Sequence, residues 1–459
     1  MTMTHQLAAD QTIEYLRHVS VVPFPQTVFP SYFVECPVRM YIRIHRGTRE
    51  IGGTCVEVRA ANGSRLLLDL GLPLDGDPDD VAAHPAIDGL RGGGDLLGLV
   101  LSHGHLDHWG LAHLAGPDLP IALGAATHRI LQAAAPFVPK SWVPVKAVEF
   151  SSGVPLEFGP FRVTPQLVDH SGYDAYAILV EADGQRLFYS GDLRAHGRKA
   201  ALFDRMIAKP PVNIDVMLME GSTLGRLDPN KRFPTETEVE ADFVEAFRNT
   251  AGMVLVAASA QNIDRMVSIY RAAKRTGRTL VIDLYAAEIL RATGNANIPQ
   301  SDWPNVALYV PQYQRVRIKQ TERFDLLERH KANRIFGEDL KTLGSKAAFL
   351  FRPAMLRDLD RADCLSGAAC IWSQWDGYLT QPRGEALKAE LVQRAIPLLS
   401  IHTSGHASIG DLQRLAAAIA PKVLVPVHTF QPKRFPELFA NVRLRQDGEW
   451  WSVGEGLAA

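Results

Sequence analysis

Cysteine is scarce in this chain. Cys36, Cys55, Cys364 and Cys370 are the only four in 459 residues, and no two form a CxxC pair. So sparse a set argues against a disulfide framework and fits reduced thiols of a cytoplasmic protein. Apolar runs long enough to span a bilayer are missing. The opening stretch MTMTHQLAADQTIEYLRHV lacks the basic-then-apolar layout of a secretory signal. An excess of one charge is missing too: 49 Lys and Arg stand against 50 Asp and Glu, a formal net charge of −1. A large basic face is not implied, so any contact with nucleic acid has to use a local groove. Internal repeats and low-complexity segments are absent. What remains, 46% hydrophobic and 22% charged, is the composition of a folded globular protein. Its length exceeds one ordinary core and predicts two domains.

A leading segment carries Pro23, Pro25, Pro30 and Pro37, and strand-like runs then follow one another. MYIRIHRG, CVEVRA and RLLLDLGL come first, with Asn62–Gly63 as a hairpin turn. LLGLVLS, VEFS, FRVTPQLVD, AYAILVEA, RLFYSGD and VMLMEG continue the series, with a second hairpin turn at Asp183–Gly184. From about residue 225 the texture changes. TETEVEADFVEAFRN reads as a helix capped by Thr235 or Thr237, and MVLVAAS, NIDRMVSIYRAAKRTG, TLVIDL and AAEILRAT alternate in βαβ fashion. The strand IPLLSIH, the helix DLQRLAAAIA and the strand KVLVPVH close the pattern. The expected organisation is α/β, with residues 1–225 as the first part of one domain, 226–385 as an inserted parallel-sheet domain, and 386–459 as the return to the first.

The run LSHGHLDHWG places three histidines and an aspartate directly after an apolar strand. Imidazole and carboxylate together suit a borderline divalent metal, chiefly Zn²⁺. Residues two apart on an extended segment point the same way, so His103 and His105 suit one ion, and Asp107 and His108, beyond the turn, would face a second. Asp69, His170, Asp192 and His428 also close strands. Taken singly each is an ordinary turn residue; taken together they imply one edge where the strands converge.

HGHLDH, with Asp69 upstream and His170 and Asp192 downstream, resembles the metallo-β-lactamase superfamily. The resemblance implies an αβ/βα sandwich with a two-metal site at the sheet edges. It implies that His103, His105 and His170 hold one zinc, and that Asp107, His108 and a further histidine, His428, hold the other, with Asp192 bridging. Asp69 would accept hydrogen bonds that orient the ligands. Glu220 in LMEGSTLG, His406 in IHTSGHAS and His428 in PVHTF resemble, in that order, motifs A, B and C of the β-CASP nucleases. The stretch between Glu220 and His406 has the position and rough size of the β-CASP insertion, and a histidine at motif C resembles the RNA-acting members. REIGGTCVEVR, and AASAQNIDRM followed by KRTGRTLVID, are similar to ribonuclease J and the pre-mRNA 3′-end endonuclease group. At one turn the chain departs from ribonuclease J: WSQWDGY stands where that family has a GSQGEP-like turn.

The implied activity is a ribonuclease using two Zn²⁺, with Mn²⁺ as an alternative. Two ions ~3.5–4 Å apart supply a nucleophile near neutral pH and clamp the phosphate oxygens. The leaving oxygen then needs an acid. By motif resemblance this is His406, with Glu220 holding and charging its imidazole and Asp107 completing the catalytic set. Substrate contacts are expected at Ser259, Gln261, Asn262 and Arg265, where a strand meets a helix N-terminus, and at Ser404 and Gly405 beside His406. The basic run KRTGR reads as a solvated helix end. RNA is the expected partner, a membrane is not, and a homodimer is allowed. Two other readings compete. A small-molecule lactonase or thioesterase would need no such insertion, and a non-catalytic scaffold of an RNA-processing complex would not need every ligand retained.

Overall fold

The computed structural model describes residues 39–138 and 141–455; the proline-bearing leading segment, Cys36 and the N-terminal layout lie outside them. Six strands come first: β1 (Tyr41–Arg46), β2 (Cys55–Arg59), β3 (Arg65–Leu68), β4 (Leu96–Val100), β5 (Ile121–Gly124) and β6 (Ala147–Phe150). Next are β7 (Leu156–Phe158), β8 (Phe161–Val168), β9 (Ala175–Ala182), β10 (Gln185–Tyr189) and β11 (Val216–Glu220). Then follow β12 (Val254–Ala257), β13 (Thr279–Ile282), β14 (Val306–Tyr309), β15 (Arg334–Ile335), β16 (Ala347–Leu350), β17 (Ala369–Trp372) and β18 (Leu398–Ser400). β19 (Val423–Val427) and β20 (Trp450–Ser452) close the series.

The strands build three sheets, ordered β20-β1-β2-β3-β4-β5-β6, β19-β11-β10-β9-β8-β7 and β15-β14-β13-β16-β12-β17-β18. Both expected hairpins are present. β2 pairs antiparallel with β3 across Asn62–Gly63, and β9 pairs with β10 across Asp183–Gly184, where both turn residues have positive φ as a tight primed turn demands. The first two sheets face each other over a shared core that includes Ile42, Val56, Leu66, Phe161, Ile178, Leu187, Leu218 and Val425. The outer face of the second sheet is covered by helices Ala200–Ala208 and Ile409–Ile419 through Phe203, Met206, Leu412 and Leu415. This is the α/β sandwich that the motif implied.

The third sheet is parallel throughout, and its strands all fall between β11 and β19. Its strands are buried end to end over most of their length, as expected for a parallel sheet covered on both faces. Helix Glu236–Asn249 begins at Thr235, whose hydroxyl accepts from the Glu238 amide while Glu238 answers from its side chain. IPLLSIH, expected in the return segment, instead supplies β18, which pairs with β17 at the edge of the third sheet; residue 386 lies inside helix Pro382–Gln393. No described helix is long and apolar enough to cross a membrane. Cys55, Cys364 and Cys370 are free and buried, and burial pushes the Cys370 thiol up to about 12.

Candidate metal centre

Parallel pairing brings several strand ends to one edge. β3 and β4 run side by side, as do β10, β11 and β19, so the residues just after them meet where such sheets bind ligands. Asp69 follows β3, the HGHLDH run follows β4, Asp192 follows β10, Glu220 ends β11 and His428 follows β19. His170 arrives from the end of β8. Main-chain bonds pin the histidine run in place: Thr54 N–H donates to the Asp107 carbonyl, Leu70 N–H to that of His108, and Leu72 N–H to that of Leu106. The chains approach so closely that a Cβ on Gly71 would lie 1.8 Å from the Asp107 carbonyl oxygen, so only glycine fits there.

Three groups of ligand-type side chains result, each with its atoms within 4.8 Å of one another. In the first, His105 Nδ1 lies 3.2 Å from His103 Nε2 and 3.1 Å from His170 Nε2. In the second, His108 Nε2 is 3.0 Å from Asp192 Oδ2, and His428 Nε2 is 3.6 Å from Asp107 Oδ2 and 3.7 Å from Asp192 Oδ2. Asp192 Oδ2 also stands 3.9 Å from His103 Nε2, between the two groups. The third joins Asp192 to Glu220 and His406.

The donor set fits a divalent cation. Tetrahedral Zn–N bonds of 2.0–2.1 Å require ligand atoms about 3.4 Å apart, close to the separations here. His170 Nδ1 donates to the Gly405 carbonyl at 2.6 Å, which leaves its Nε2 as a bare lone pair aimed at the other two histidines. Within the second group, Asp192 Oδ1 and His428 Nε2 are buried without a hydrogen-bond partner. Orphaned buried acceptors of this kind are costly unless something positive lies among them.

Supporting residues hold the ligands. Asp69 accepts four bonds: from Ser102 N–H at 2.6 Å and, at 2.7 Å each, from Ser102 Oγ, His108 Nδ1 and Tyr189 Oη. Ser102 Oγ also lies 3.0 Å from His103 Nδ1, and Thr54 Oγ1 lies 2.7 Å from His428 Nδ1. Ser222 Oγ donates to Glu220 at 2.6 Å and sits 3.1 Å from His406 Nδ1. The sequence reading missed Thr54, Ser102, Tyr189 and Ser222. For Ser102 and Ser222 the available signal was adjacency to His103 and to Glu220; for Thr54 and Tyr189 there was none.

Burial holds His103 and His170 well below the ordinary imidazole value, helped by neighbouring imidazoles, and lowers His105 and His428. All four are thus neutral, the form that ligates metal. His108 goes the other way: burial opposes its charge, but Asp192, Asp69 and Asp107 raise it well above the usual value. Ligation by His108 Nε2 would require that proton to leave. His406 is also raised against burial, to about 9, by Glu220 and Asp192. Its Nδ1 lies 3.0 Å from Glu220 Oε2, and its side chain is 26% exposed while that of Glu220 is only 1% exposed.

The expected substrate contacts divide. Ser259 is exposed, and Asn262 caps helix Ile263–Arg275. Gln261 lines a small cavity with Gly104, His105, Thr127, Gly172 and Tyr173, and donates to Tyr285 Oη. Arg265 is not available. Its side chain is fully buried, with its guanidinium bonded to Glu236 and to Ser373. The Ser404 carbonyl accepts from Arg194 and His196 and its Oγ from the His406 N–H, while the Gly405 carbonyl accepts from His170. The KRTGR run is not fully solvated either: Arg278 is buried and donates to the carbonyls of Phe247 and Gly252.

Several known proteins are similar to this chain. A β-lactamase superfamily domain matches residues 65–269. Ribonuclease J of Mycobacterium tuberculosis is 26% identical over 359 residues, covering 73% of this chain and 58% of that protein. Ribonuclease J of Sinorhizobium meliloti is 22% identical over 345 residues with the same coverage, and Ribonuclease J 2 of Streptococcus pyogenes is 23% identical over 87% of this chain. The chain thus spans a little over half the length of the first two relatives. A crystal structure of a protein of unknown function from Enterococcus faecalis superposes with a TM-score of 0.72 at 21% identity, over 90% of this chain and 100% of that one. The chain is thus similar to the β-lactamase superfamily over residues 65–269 and to proteins named ribonuclease J over most of its length.

Proposed function

We propose that the chain is a cytoplasmic ribonuclease that hydrolyses RNA phosphodiester bonds with two divalent ions, zinc in first place, in a cleft beside the third sheet, which we read as a β-CASP domain. The observation that carries this reading is the sharing of Asp192 by the second ligand group and by the Glu220–His406 pair, which sets a proton donor against the metal centre. The relatives named ribonuclease J favour RNA over a small ester.

Divalent ions held by His103, His105 and His170, and by Asp107, His108, Asp192 and His428, would supply Lewis-acid charge at phosphorus and lower the pKa of water. The chain's own residues supply the remainder. Glu220 is anchored by Leu193 N–H at 3.0 Å and by Ser222 Oγ at 2.6 Å, so it presents Oε2 to His406 in a fixed position. With Nδ1 engaged, the Nε2–H of His406 is the proton for the departing oxygen. Gly405 accepts from His170 Nδ1 and so turns that ring toward the centre; a Cβ at 405 would meet Ser171 Oγ at 2.5 Å and push it aside.

The test is a panel assay of the purified chain on 5′-phosphate RNA, 5′-triphosphate RNA, single-stranded DNA and a nitrophenyl ester, with products sized on a gel and bound metal measured. Cleavage of RNA with about two ions per chain is expected. Ester hydrolysis with intact RNA would replace this reading with a small-molecule hydrolase.

A further inference from the structure

Three large aromatic side chains stand in the open near the metal centre. Trp375 is 46% exposed, Tyr378 44% and Phe430 48%. They come from different sheets. Trp375 and Tyr378 lie in the WSQWDGY turn after β17, and Phe430 lies two positions beyond His428, after β19. Arg226, from the turn after Glu220, joins them: its guanidinium carbon is 5.4 Å from both the Trp375 and the Phe430 ring centroids. Trp375 and Tyr378 meet edge to face, their centroids 5.3 Å apart at 81°.

Two observations tie this cluster to the centre. Arg226 stands in the turn that leaves Glu220 at the end of β11, and its guanidinium joins the Trp375 ring to the Phe430 ring. Phe430 follows His428 with only Thr429 between. Arg226 has no carboxylate partner among the described residues, so its charge is uncommitted except to ring faces. Most arginines near the third sheet are tied into ion pairs or carbonyl cages, as Arg194, Arg265 and Arg278 are. Exposed ring faces around a free guanidinium suit a planar, electron-rich partner attached to a phosphate. An unstacked nucleobase has that chemistry, and aromatic and arginine planes stack on any base regardless of sequence.

We propose that Trp375, Tyr378 and Phe430, with Arg226 between two of the rings, form a stacking subsite for an unpaired nucleobase next to the phosphate held at the metal centre. This rests on the ribonuclease reading. It assigns the stacking of one base beside the cleaved bond to a turn in which the chain departs from the GSQGEP-like pattern. The second glycine of that pattern is here replaced by Trp375.

The test uses the full chain with its metals and short single-stranded RNAs that carry one abasic nucleotide at each position flanking the cleaved bond. The wild type should cleave the intact RNA with a kcat/KM at least about tenfold higher than the RNA abasic at one flanking position, the usual worth of one stacked base. Trp375→Ala and Phe430→Ala should bring that ratio toward one, and Trp375→Phe should restore it. Arg226→Gln should lower the ratio by a smaller factor. A wild-type ratio of one at every position, or an unchanged ratio in both alanine variants, overturns the subsite while leaving the ribonuclease reading in place. No cleavage of any RNA by the metal-loaded wild type overturns both.

Discussion

His406 and His428 both follow strand-edge turns, yet their surroundings give them different work. His406 is charged and faces Glu220, whereas His428 is held neutral with its Nε2 aimed at Asp107 and Asp192. His406→Ala should therefore keep near-normal metal content while the cleavage step slows by ~10²–10⁴-fold, measured in single-turnover assays. His428→Ala should lose one ion per chain by metal analysis. Glu220→Gln should resemble His406→Ala in milder form, and the double change should cost little more than His406→Ala alone. Loss of metal from His406→Ala with both ions kept in His428→Ala would exchange the two roles. At this scale the sequence was readable where ligand-type residues are consecutive, because the clustering of HGHLDH can be seen without any knowledge of the fold. Arg265 was misread. Its place beside a helix N-terminus was visible, but its partner Glu236 lies on another helix, and nothing local announces that pairing. Arg265→Ala should accordingly cost up to about 3–5 kcal/mol of stability in urea unfolding, because it takes the nearer of two guanidinium partners from buried Glu236.

Elements are joined by a buried ionic network that reaches the centre from behind. Arg194, two positions after Asp192, contacts Asp169, Glu236, Asp264 and the Ser404 carbonyl, so it links the strand ends bearing His170 and Asp192 to helices Glu236–Asn249 and Ile263–Arg275. Around it, burial and the charges of Arg194 and Arg265 depress His196 and His402, each to about 4. Glu236 is brought to about 2, Arg265 and Arg194 overcoming its burial. All three shifts are downward, so the stability they confer is complete above the unfolded-state values and is lost as pH falls. The histidines act between about 6.5 and 4 and Glu236 between about 4.5 and 2. The urea midpoint should drop from pH 6.5 to 5, and His402→Gln should flatten that slope. Hairpins and parallel βαβ units were legible from turn dipeptides and apolar runs. The membership of β18 was not, since a short apolar strand carries no mark of the sheet it will join.

Seen whole, the molecule has no clean seam between the metal core and the third sheet. Replacing residues 230–385 with a short linker would remove Glu236, Asp264 and Arg265 and leave Arg194 buried among broken partners. That deletion should abolish cooperative unfolding as followed by near-ultraviolet circular dichroism, which makes point changes the better probe of the cleft. Chelation, by contrast, should leave a folded chain of lower melting temperature, because bound ions favour the native state.

The order of the ligands along the chain also sets a timetable. His103, His105 and His170 precede the third sheet, whereas His406 and His428 follow it, and β19 reaches its place beside β11 only then. A ribosome making roughly 5–20 residues per second needs on the order of 10–40 s to travel from Glu220 to His428. Throughout that interval the nascent chain holds the first ligand group complete and the second without His428, and it lacks the proton donor His406. On the ribonuclease reading proposed above, the growing polypeptide has no proton donor while the message still threads through the ribosome that makes it.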